Sequence, residues 1–268
     1  MTTDTFINAT SDPSLANKLA EKAMSDTEAV VTTPKVQLPP DPTVELPGGL
    51  HDPIHGHITT AQVRELIGSD EEAVTKLNDI GKALLLILDR ATVKLGDVEP
   101  EKEMLDALLS GDREAMLLKI RMMTFGSDVK MGPGKCPSCG EEQIWDIDLV
   151  NDVPVKILEG SREFTMQCKV GEVVVSLPTG GTQKEIINST NKTSAEIDTI
   201  VLKSCIKSIN GLPVFGLEAI RSLSIKDRRD ILQQISDRNP GPQLGDVKKA
   251  CSACGTEVPL PLTLAELF

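Results

Sequence analysis

Two short stretches, Cys136-Pro-Ser-Cys139-Gly140 and Cys251-Ser-Ala-Cys254-Gly255, share the pattern C-x-x-C-G and decide how this chain folds. Two cysteines separated by two residues form a tight turn, here called a knuckle, whose sulfur atoms can face one ion. The glycine that follows lets the backbone turn back without a Cβ clash. Two knuckles supply four thiolates, which is the ligand set of a structural tetrahedral zinc site.

We therefore expect a structural Zn2+ bound by Cys136, Cys139, Cys251 and Cys254. The alternatives are two local disulfides or a redox-active C-x-x-C pair. The first thirty residues are polar and acidic, unlike a signal peptide, so we expect a reducing compartment, where four-thiolate sites are commoner than disulfides. Because four thiolates leave no open coordination position, the metal would be structural rather than catalytic.

The segments that precede the two knuckles resemble each other. The shift that places Cys136 on Cys251 also matches several upstream pairs: Gly96 with Gly211, Leu108 with Leu223, Asp112-Arg113 with Asp227-Arg228, Leu117 with Leu232, and Ile120 with Ile235. Further upstream, in a different register, Val44-Glu-Leu-Pro-Gly-Gly49 resembles Val175-Ser-Leu-Pro-Thr-Gly-Gly181. Several markers at one constant offset indicate an internal duplication. The alternative is chance helical patterning around two unrelated knuckles.

Composition limits the classes of function. The chain has 268 residues, of which 40% are hydrophobic and only 2% aromatic, and its formal net charge is −12. Such a charge disfavours nucleic-acid binding, which needs a concentrated positive surface, and docking on an anionic membrane. No apolar run approaches the roughly 20 residues of a membrane span. We therefore expect no nucleic-acid partner, no membrane and no small-molecule substrate.

The patterning predicts an α+β fold, mostly helical, with two related halves joined by a central four-cysteine zinc ribbon. The predicted parts are an extended arm over residues 1–43 with one weak helix over 13–30, a first half over 44–150, and a second half with a hairpin over 151–268. Helices are expected over residues 59–68, from 77 to beyond 90, and over 197–209. Alternating apolar residues predict ribbon strands over 143–149 and 258–264.

Other reactive residue types fit structural roles better than catalysis. His51, His55 and His57 lie in a Gly/Pro-rich segment, so we interpret them as loop residues rather than metal ligands. Cys205 lies on an apolar helical stripe and is expected in the core, and Cys168 has no pairing signal. The two Asp-Arg pairs fit a capping carboxylate beside a solvated arginine. Alternatively, each arginine could bridge to the other half or to the carbonyl groups of the opposite knuckle. The chain contains none of the common catalytic motifs.

The order of several segments resembles a known family. They are Val44-Glu-Leu-Pro-Gly-Gly49, Thr60-Ala-Gln-Val-Arg-Glu-Leu-Ile-Gly-Ser-Asp-Glu-Glu72, and Leu108-Leu-Ser-Gly-Asp-Arg-Glu-Ala-Met-Leu-Leu-Lys-Ile120 leading into Lys135-Cys-Pro-Ser-Cys139. This order is similar to the T4-type phage baseplate hub family of contractile-tailed phages. The resemblance covers roughly residues 44–264, and the N-terminal arm lies outside it.

The resemblance implies a non-enzymatic structural protein of the virion tail baseplate, in the hub or inner baseplate, synthesised and assembled in the host cytoplasm. Its partners would be other baseplate and tail proteins, contacted partly through the N-terminal arm. One alternative is a tail assembly chaperone that is absent from the mature virion. The others are a zinc-ribbon nucleic-acid regulator, which the acidic charge disfavours, and a C-x-x-C oxidoreductase.

Overall fold

The computed structural model describes residues 41–189, 192–214 and 216–268. Residues 41–268 form one compact unit. The arm predicted over residues 1–43 lies outside the described residues up to residue 40, and so does the helix predicted over 13–30. The first strand begins at Thr43.

The first part of the described chain contains five strands and four helices. In chain order they are β1 (Thr43–Asp52), β2 (Gly56–Val63), α1 (Gly68–Val74), α2 (Ile80–Ala91), β3 (Thr92–Leu95), α3 (Lys102–Ala107), α4 (Ser110–Phe125), β4 (Asp128–Lys135) and β5 (Glu142–Asp148). The strands β1, β2 and β3 form an antiparallel sheet with β2 in the centre, and β4 pairs with β5 as a separate hairpin.

The second part follows a short strand. Its elements in chain order are β6 (Val155–Lys156), β7 (Glu163–Cys168), β8 (Gly171–Ser176), α5 (Gly180–Ile187), α6 (Ser194–Cys205), β9 (Ile206–Ile209), β10 (Leu212–Pro213), α7 (Leu217–Ser222), α8 (Ile225–Arg238), β11 (Gly241–Pro242), β12 (Lys248–Ala250), β13 (Glu257–Pro259) and α9 (Leu264–Leu267). The strands β7 to β10 form one sheet, β12 pairs with β13, and β11 pairs with β6.

The same order of elements occurs twice. Each part has a hairpin, two helices, a third strand that pairs with the second hairpin strand, a short helix, a longer helix and a hairpin that carries a knuckle. The strand pairings also agree, because Ala61 lies opposite Leu95 in the first sheet and Val173 lies opposite Ile209 in the second. This order supports the internal duplication, so we retain the division into halves at residue 150 as a proposal.

The expectation of a mostly helical chain is wrong. The described chain is 39% helical and 30% strand, with five antiparallel sheets. The first half of the segment 59–68, expected as a helix, lies in β2, whose residues Ile58, Ala61 and Val63 are buried. That strand pairs with β1 on one side and β3 on the other, and two ladders of backbone hydrogen bonds outweigh a weak helical pattern.

The helix predicted over 197–209 ends earlier than the apolar pattern suggested, whereas the one predicted from 77 to beyond 90 begins later, at Ile80, and ends just beyond 90. Helix α2 ends at Ala91 and helix α6 at Cys205, and in both cases the next four residues form a strand. These strands begin with the β-branched residues Thr92 and Ile206, which fit a pleated surface better than a helix. In the ribbon, the strand expected over 143–149 is confirmed by β5, whereas the one expected over 258–264 is wrong beyond Pro259.

Buried apolar side chains form three clusters in the described chain. The first packs the β1–β3 sheet against α2, α3 and α4, and the third packs the β7–β9 strands against α6, α7 and α8. The second cluster surrounds the two knuckle hairpins and contains Trp145, Val247 and Leu260. Phe268 contacts both the first and the second cluster. The knuckles therefore lie over a core of their own, built from both parts of the chain.

The two Asp-Arg pairs occupy matching places in the first turns of α4 and α8. The Nη1 atom of Arg113 donates to the carbonyl oxygen of Leu105 at 2.7 Å, and that of Arg228 points to the carbonyl oxygen of Ile220 at 3.4 Å. Arg113 is only 1% exposed, so the expectation of a solvated arginine is wrong for this residue. Its Nε donates to Gln183 at 2.8 Å, which bridges the two halves.

The bridging alternative does not extend to Arg228. Its Nη2 donates to Thr199 Oγ1 at 2.8 Å and to the carbonyl oxygen of Ala195 at 3.0 Å, and both residues belong to the second half. The two arginines therefore make matching contacts to the preceding short helix and different contacts beyond it.

Candidate metal centre

The first knuckle is the turn between β4 and β5. The backbone N–H of Cys136 donates to the carbonyl oxygen of Glu141 at 2.8 Å, and that of Gly140 donates to the carbonyl oxygen of Cys136 at 2.9 Å. Gly140 has a φ of 77°, a left-handed conformation that favours glycine. These bonds fold the turn so that both cysteine side chains lie on the same side.

The second knuckle repeats this geometry between β12 and β13. The backbone N–H of Cys251 donates to the carbonyl oxygen of Thr256 at 2.9 Å, and that of Gly255 donates to the carbonyl oxygen of Cys251 at 2.8 Å. Gly255 has a φ of 72°. The two turns are therefore matched in their backbone hydrogen bonds as well as in their sequence.

The two hairpin turns bring all four sulfur atoms together. The Sγ atoms of Cys136, Cys139, Cys251 and Cys254 all lie within 4.8 Å of one another. The distance between the sulfurs of Cys136 and Cys254 is 3.8 Å, and that between Cys139 and Cys251 is 3.7 Å. A tetrahedral zinc with bonds of about 2.3 Å would separate its sulfurs by about 3.8 Å. The arrangement is therefore compatible with a metal, and far too open for disulfides of about 2.0 Å.

The thiols differ in how readily each loses its proton. Backbone hydrogen bonds from Cys139 and Ser138 lower the pKa of Cys136. A side-chain hydrogen bond with Thr256, followed by one from its backbone, lowers the pKa of Cys254 to about 6. The backbone of Glu141 favours the thiolate of Cys139, but local desolvation and the three neighbouring thiols outweigh it and raise that pKa to about 12. Four thiolates can share this space only if a cation offsets their repulsion.

The surroundings hold the two knuckles in register. Gln143, in β5 beyond the first knuckle, accepts a hydrogen bond from the backbone N–H of Ser252 in the second knuckle at 3.1 Å. Cys136 and Cys251 are each 2% exposed and belong to the central apolar cluster, whereas Cys139 and Cys254 are exposed. The site thus has a buried side against the core and an open side toward solvent.

The other candidate residues lie elsewhere. His51 and His57 face each other across β1 and β2 with ring centroids 4.3 Å apart, so they are strand residues rather than loop residues, while His55 lies in the turn and contacts Asp52 at 2.9 Å. Cys205 is buried in the third apolar cluster, as predicted. In the part of the chain that the structure describes, the knuckles are the one group of three or more possible metal ligands.

Sequence reasoning missed two features near these sites. The contact between Gln143 and Ser252 had no signal, because a glutamine next to a knuckle is unremarkable by itself. The carboxylate of Asp70 is fully buried between Arg64 and Arg90, with both contacts at 2.6 Å. The sequence carries no signal for this site, since nothing in it places two arginines, six and twenty residues away, beside Asp70.

One family of known proteins matches most of this chain. The family is described as T4 bacteriophage base plate protein, and the match covers residues 56–268. The chain belongs to this family. Neither a curated protein nor a solved structure matches it. As a member of the T4 baseplate family, the protein is a structural component of the phage tail and works in contact with other tail proteins.

Both knuckles lie inside the region that matches the T4 baseplate family, and so do all the described elements except β1. Among the described residues, no helix combines the length and the apolar character that crossing a bilayer requires.

Proposed function

We propose that this baseplate protein is a non-enzymatic subunit of the hub or inner baseplate whose two halves are fastened by one structural zinc ion. The observation that carries the proposal is the meeting of four sulfur atoms from two hairpins, one in each half, within 4.8 Å. Zinc is the ion that best suits four thiolates in a closed tetrahedron. A rigid body of this kind suits a subunit that positions its neighbours.

The weakness of the second hairpin supports a stabilising role for the metal. Strands β12 and β13 have three residues each, which is too short for an isolated two-stranded hairpin to be stable in water. The first hairpin is longer, with strands of eight and seven residues. A metal ion bound by both hairpins would hold the shorter hairpin against the longer one and so stabilise it.

The metal can be tested on the purified full chain. We expect about one zinc per chain by elemental analysis, bound by Cys136, Cys139, Cys251 and Cys254. Replacing Cys251 by Ser should abolish stoichiometric zinc and lower the melting temperature of the whole compact unit. Cys168→Ser is the matched control, because Cys168 lies outside the cluster and should leave the zinc content unchanged. A wild-type chain that binds no zinc would contradict the proposal.

The location within the baseplate requires a different experiment. Mass spectrometry of purified virions should find the chain in stoichiometric amount, and cross-linking should connect it to proteins of the inner baseplate. A chain present during tail assembly but absent from mature virions would instead be an assembly chaperone. The host cytoplasm is the expected site of assembly. The net charge of −12 supports protein rather than nucleic-acid partners.

A further inference from the structure

A cleft of about 410 Å³ lies between the two halves, away from the cysteine cluster. One of its lining residues is Glu114, from helix α4 of the first half. The other lining residues come from the second half. Val201 on α6 and Leu232 on α8 contribute apolar side chains to a lining that is polar and apolar in about equal parts. Three uncharged polar residues complete the lining, namely Ser236, Asn239 and Gln243.

Glu114 is the one charged side chain among the described residues that line this cleft. Among the described residues, its carboxylate has neither a hydrogen-bond donor nor an ion-pair partner, and burial raises its pKa to about 7. Glu114 itself is half-buried, and the three fully buried carboxylates of the described chain each accept at least one hydrogen bond. Asp112 accepts from the backbone N–H of Gly48 at 2.6 Å. Asp70 has two arginines, and Asp227 accepts from the backbone N–H of Lys169 at 3.0 Å.

The neutral polar residues of the cleft retain acceptor capacity. The Nε2 atom of Gln243 donates to the carbonyl oxygen of Gly241 at 2.9 Å, which leaves its Oε1 as an acceptor. Asn239 accepts from the hydroxyl of Ser110 at 3.1 Å, which fixes the orientation of this amide in the lining. The cleft therefore combines one carboxylate, an additional amide oxygen and apolar side chains.

We propose that this cleft binds an arginine side chain of a neighbouring tail protein, with the guanidinium on Glu114 and the aliphatic stem against Val201 and Leu232. The fixed fork of a guanidinium can donate to a carboxylate and to a neighbouring amide oxygen together, and its methylene groups suit apolar side chains. A single carboxylate with neutral neighbours is a poor site for a divalent metal, which requires more oxygen ligands. The identity of the partner as a tail protein rests on the proposed function.

The site can be tested with a small probe on the full-length protein. N-acetyl-arginine amide is titrated into protein with labelled side-chain amides, and the NMR signals of Gln243 and Asn239 are followed at pH 8. N-acetyl-citrulline amide is the matched probe, because it has nearly the same shape without the charge. We expect saturable shifts with the arginine probe and at least tenfold weaker binding of the citrulline probe.

The variant Glu114→Gln separates binding from structure. It should weaken binding of the arginine probe at least tenfold, while raising the melting temperature of the free protein at pH 8, because a half-buried, partly desolvated carboxylate is removed. If Glu114 had only a structural role, its replacement would not weaken probe binding and raise the melting temperature at the same time. Equal shifts from both probes, or full binding by the variant, would overturn the proposal.

The result of the arginine-probe titration can be distinguished from the tests of the zinc site and of the location in the baseplate. Failure of the arginine probe leaves the zinc content and the virion composition unaffected, since those are measured on other residues and on the particle. Conversely, a chain absent from virions would remove the tail protein as the partner, even if the probe bound.

Discussion

Gly111 and Gly241 approach each other so closely that neither position has room for a side chain. A Cβ atom on Gly241 would lie 2.6 Å from the Cα atom of Gly111, and a Cβ on Gly111 would lie 1.7 Å from the carbonyl oxygen of Pro240. The start of α4 in the first half is thus pressed against the backbone that follows α8 in the second half. This contact and the cysteine cluster join the two halves at separate places.

We expect Gly111→Ala to lower the free energy of unfolding by about 1–3 kcal/mol, because the added methyl group must displace backbone rather than a flexible side chain. Chemical denaturation followed by circular dichroism measures the change. Gly68→Ala is the matched control, since a Cβ at Gly68 would meet nothing within 4 Å. Equal stability of the two variants would show that the close contact is not essential.

Removal of the proposed zinc ion should affect both knuckle hairpins together. A strong zinc chelator should raise the hydrogen exchange of β4, β5, β12 and β13, with the largest rise in the short β12–β13 hairpin. The physical reason is that each pair of sulfurs depends on the other pair to complete the coordination of the ion. Exchange is measured by mass spectrometry with and without chelator. A change confined to one hairpin would argue against a shared ion.

The buried carboxylate of Asp70 should make a large contribution to stability at neutral pH. Replacing it by Asn leaves Arg64 and Arg90 without their partner, and we expect a loss of about 3–5 kcal/mol. Glu72→Gln, an exposed position in the same helix, serves as the control and should change little. Thermal unfolding at pH 7 compares the two variants.

Asp70 also predicts a loss of stability in acid. The hydrogen bond from Arg64 holds its pKa well below the usual range, so the native state binds this proton more weakly than the unfolded chain does. Its contribution is therefore complete above a pH of about 4 and declines as the pH falls further. The Asp70→Asn variant should show a flatter decline below pH 4 than the wild type.

Glu114 predicts the opposite pH dependence. Burial raises its pKa from 4.5 to about 7, so the native state holds the proton more tightly than the unfolded chain does. Its contribution to stability therefore falls as the pH rises from about 4.5 to about 7. The melting temperatures of Glu114→Gln and wild type should agree near pH 4. At pH 8 they should differ by several degrees, because each kcal/mol of stability shifts the melting temperature of a chain of this size by about 2–4 °C. A constant difference at all pH values would exclude titration of this carboxylate.

Deletion of residues 1–40 should leave the zinc content and the melting temperature unchanged, because residues 41–268 form a compact unit by themselves. We expect the truncated chain to fail in a complementation assay of tail assembly, since a polar and proline-rich segment gains order on the surface of a partner. Normal assembly would place the partner contacts on the compact unit instead. Replacement of the arm by a Gly/Ser segment of equal length controls for length alone.

The knuckles were predictable because all the required information is local. A C-x-x-C-G pattern fixes the turn, and a second copy supplies the remaining ligands. The segment 59–68 could not be assigned in this way, because Ile58, Ala61 and Val63 fit either a helical or an alternating pattern over so short a length. Only the strands on either side, β1 and β3, determine the choice, and their pairing is a property of the folded chain.

The burial of polar side chains was the second feature that the sequence could not predict. Arginine is rarely buried, so the sequence favoured a solvated position for Arg113. The carbonyl oxygen of Leu105 and the amide of Gln183 satisfy its guanidinium from two different helices. The same reasoning explains why the cleft beside Glu114 had no signal, because its walls come from segments that are distant along the chain.

The division of the four cysteines between two hairpins of one chain has a consequence for metal capture. An ion held by one knuckle meets the second knuckle as an intramolecular partner, at a high effective concentration set by the fold rather than by the amount of protein. Two separate chains with one knuckle each would close such a site only at concentrations high enough for them to pair. A single chain that carries both knuckles would therefore load the proposed zinc ion as a dilute monomer, before it meets any other part of the tail.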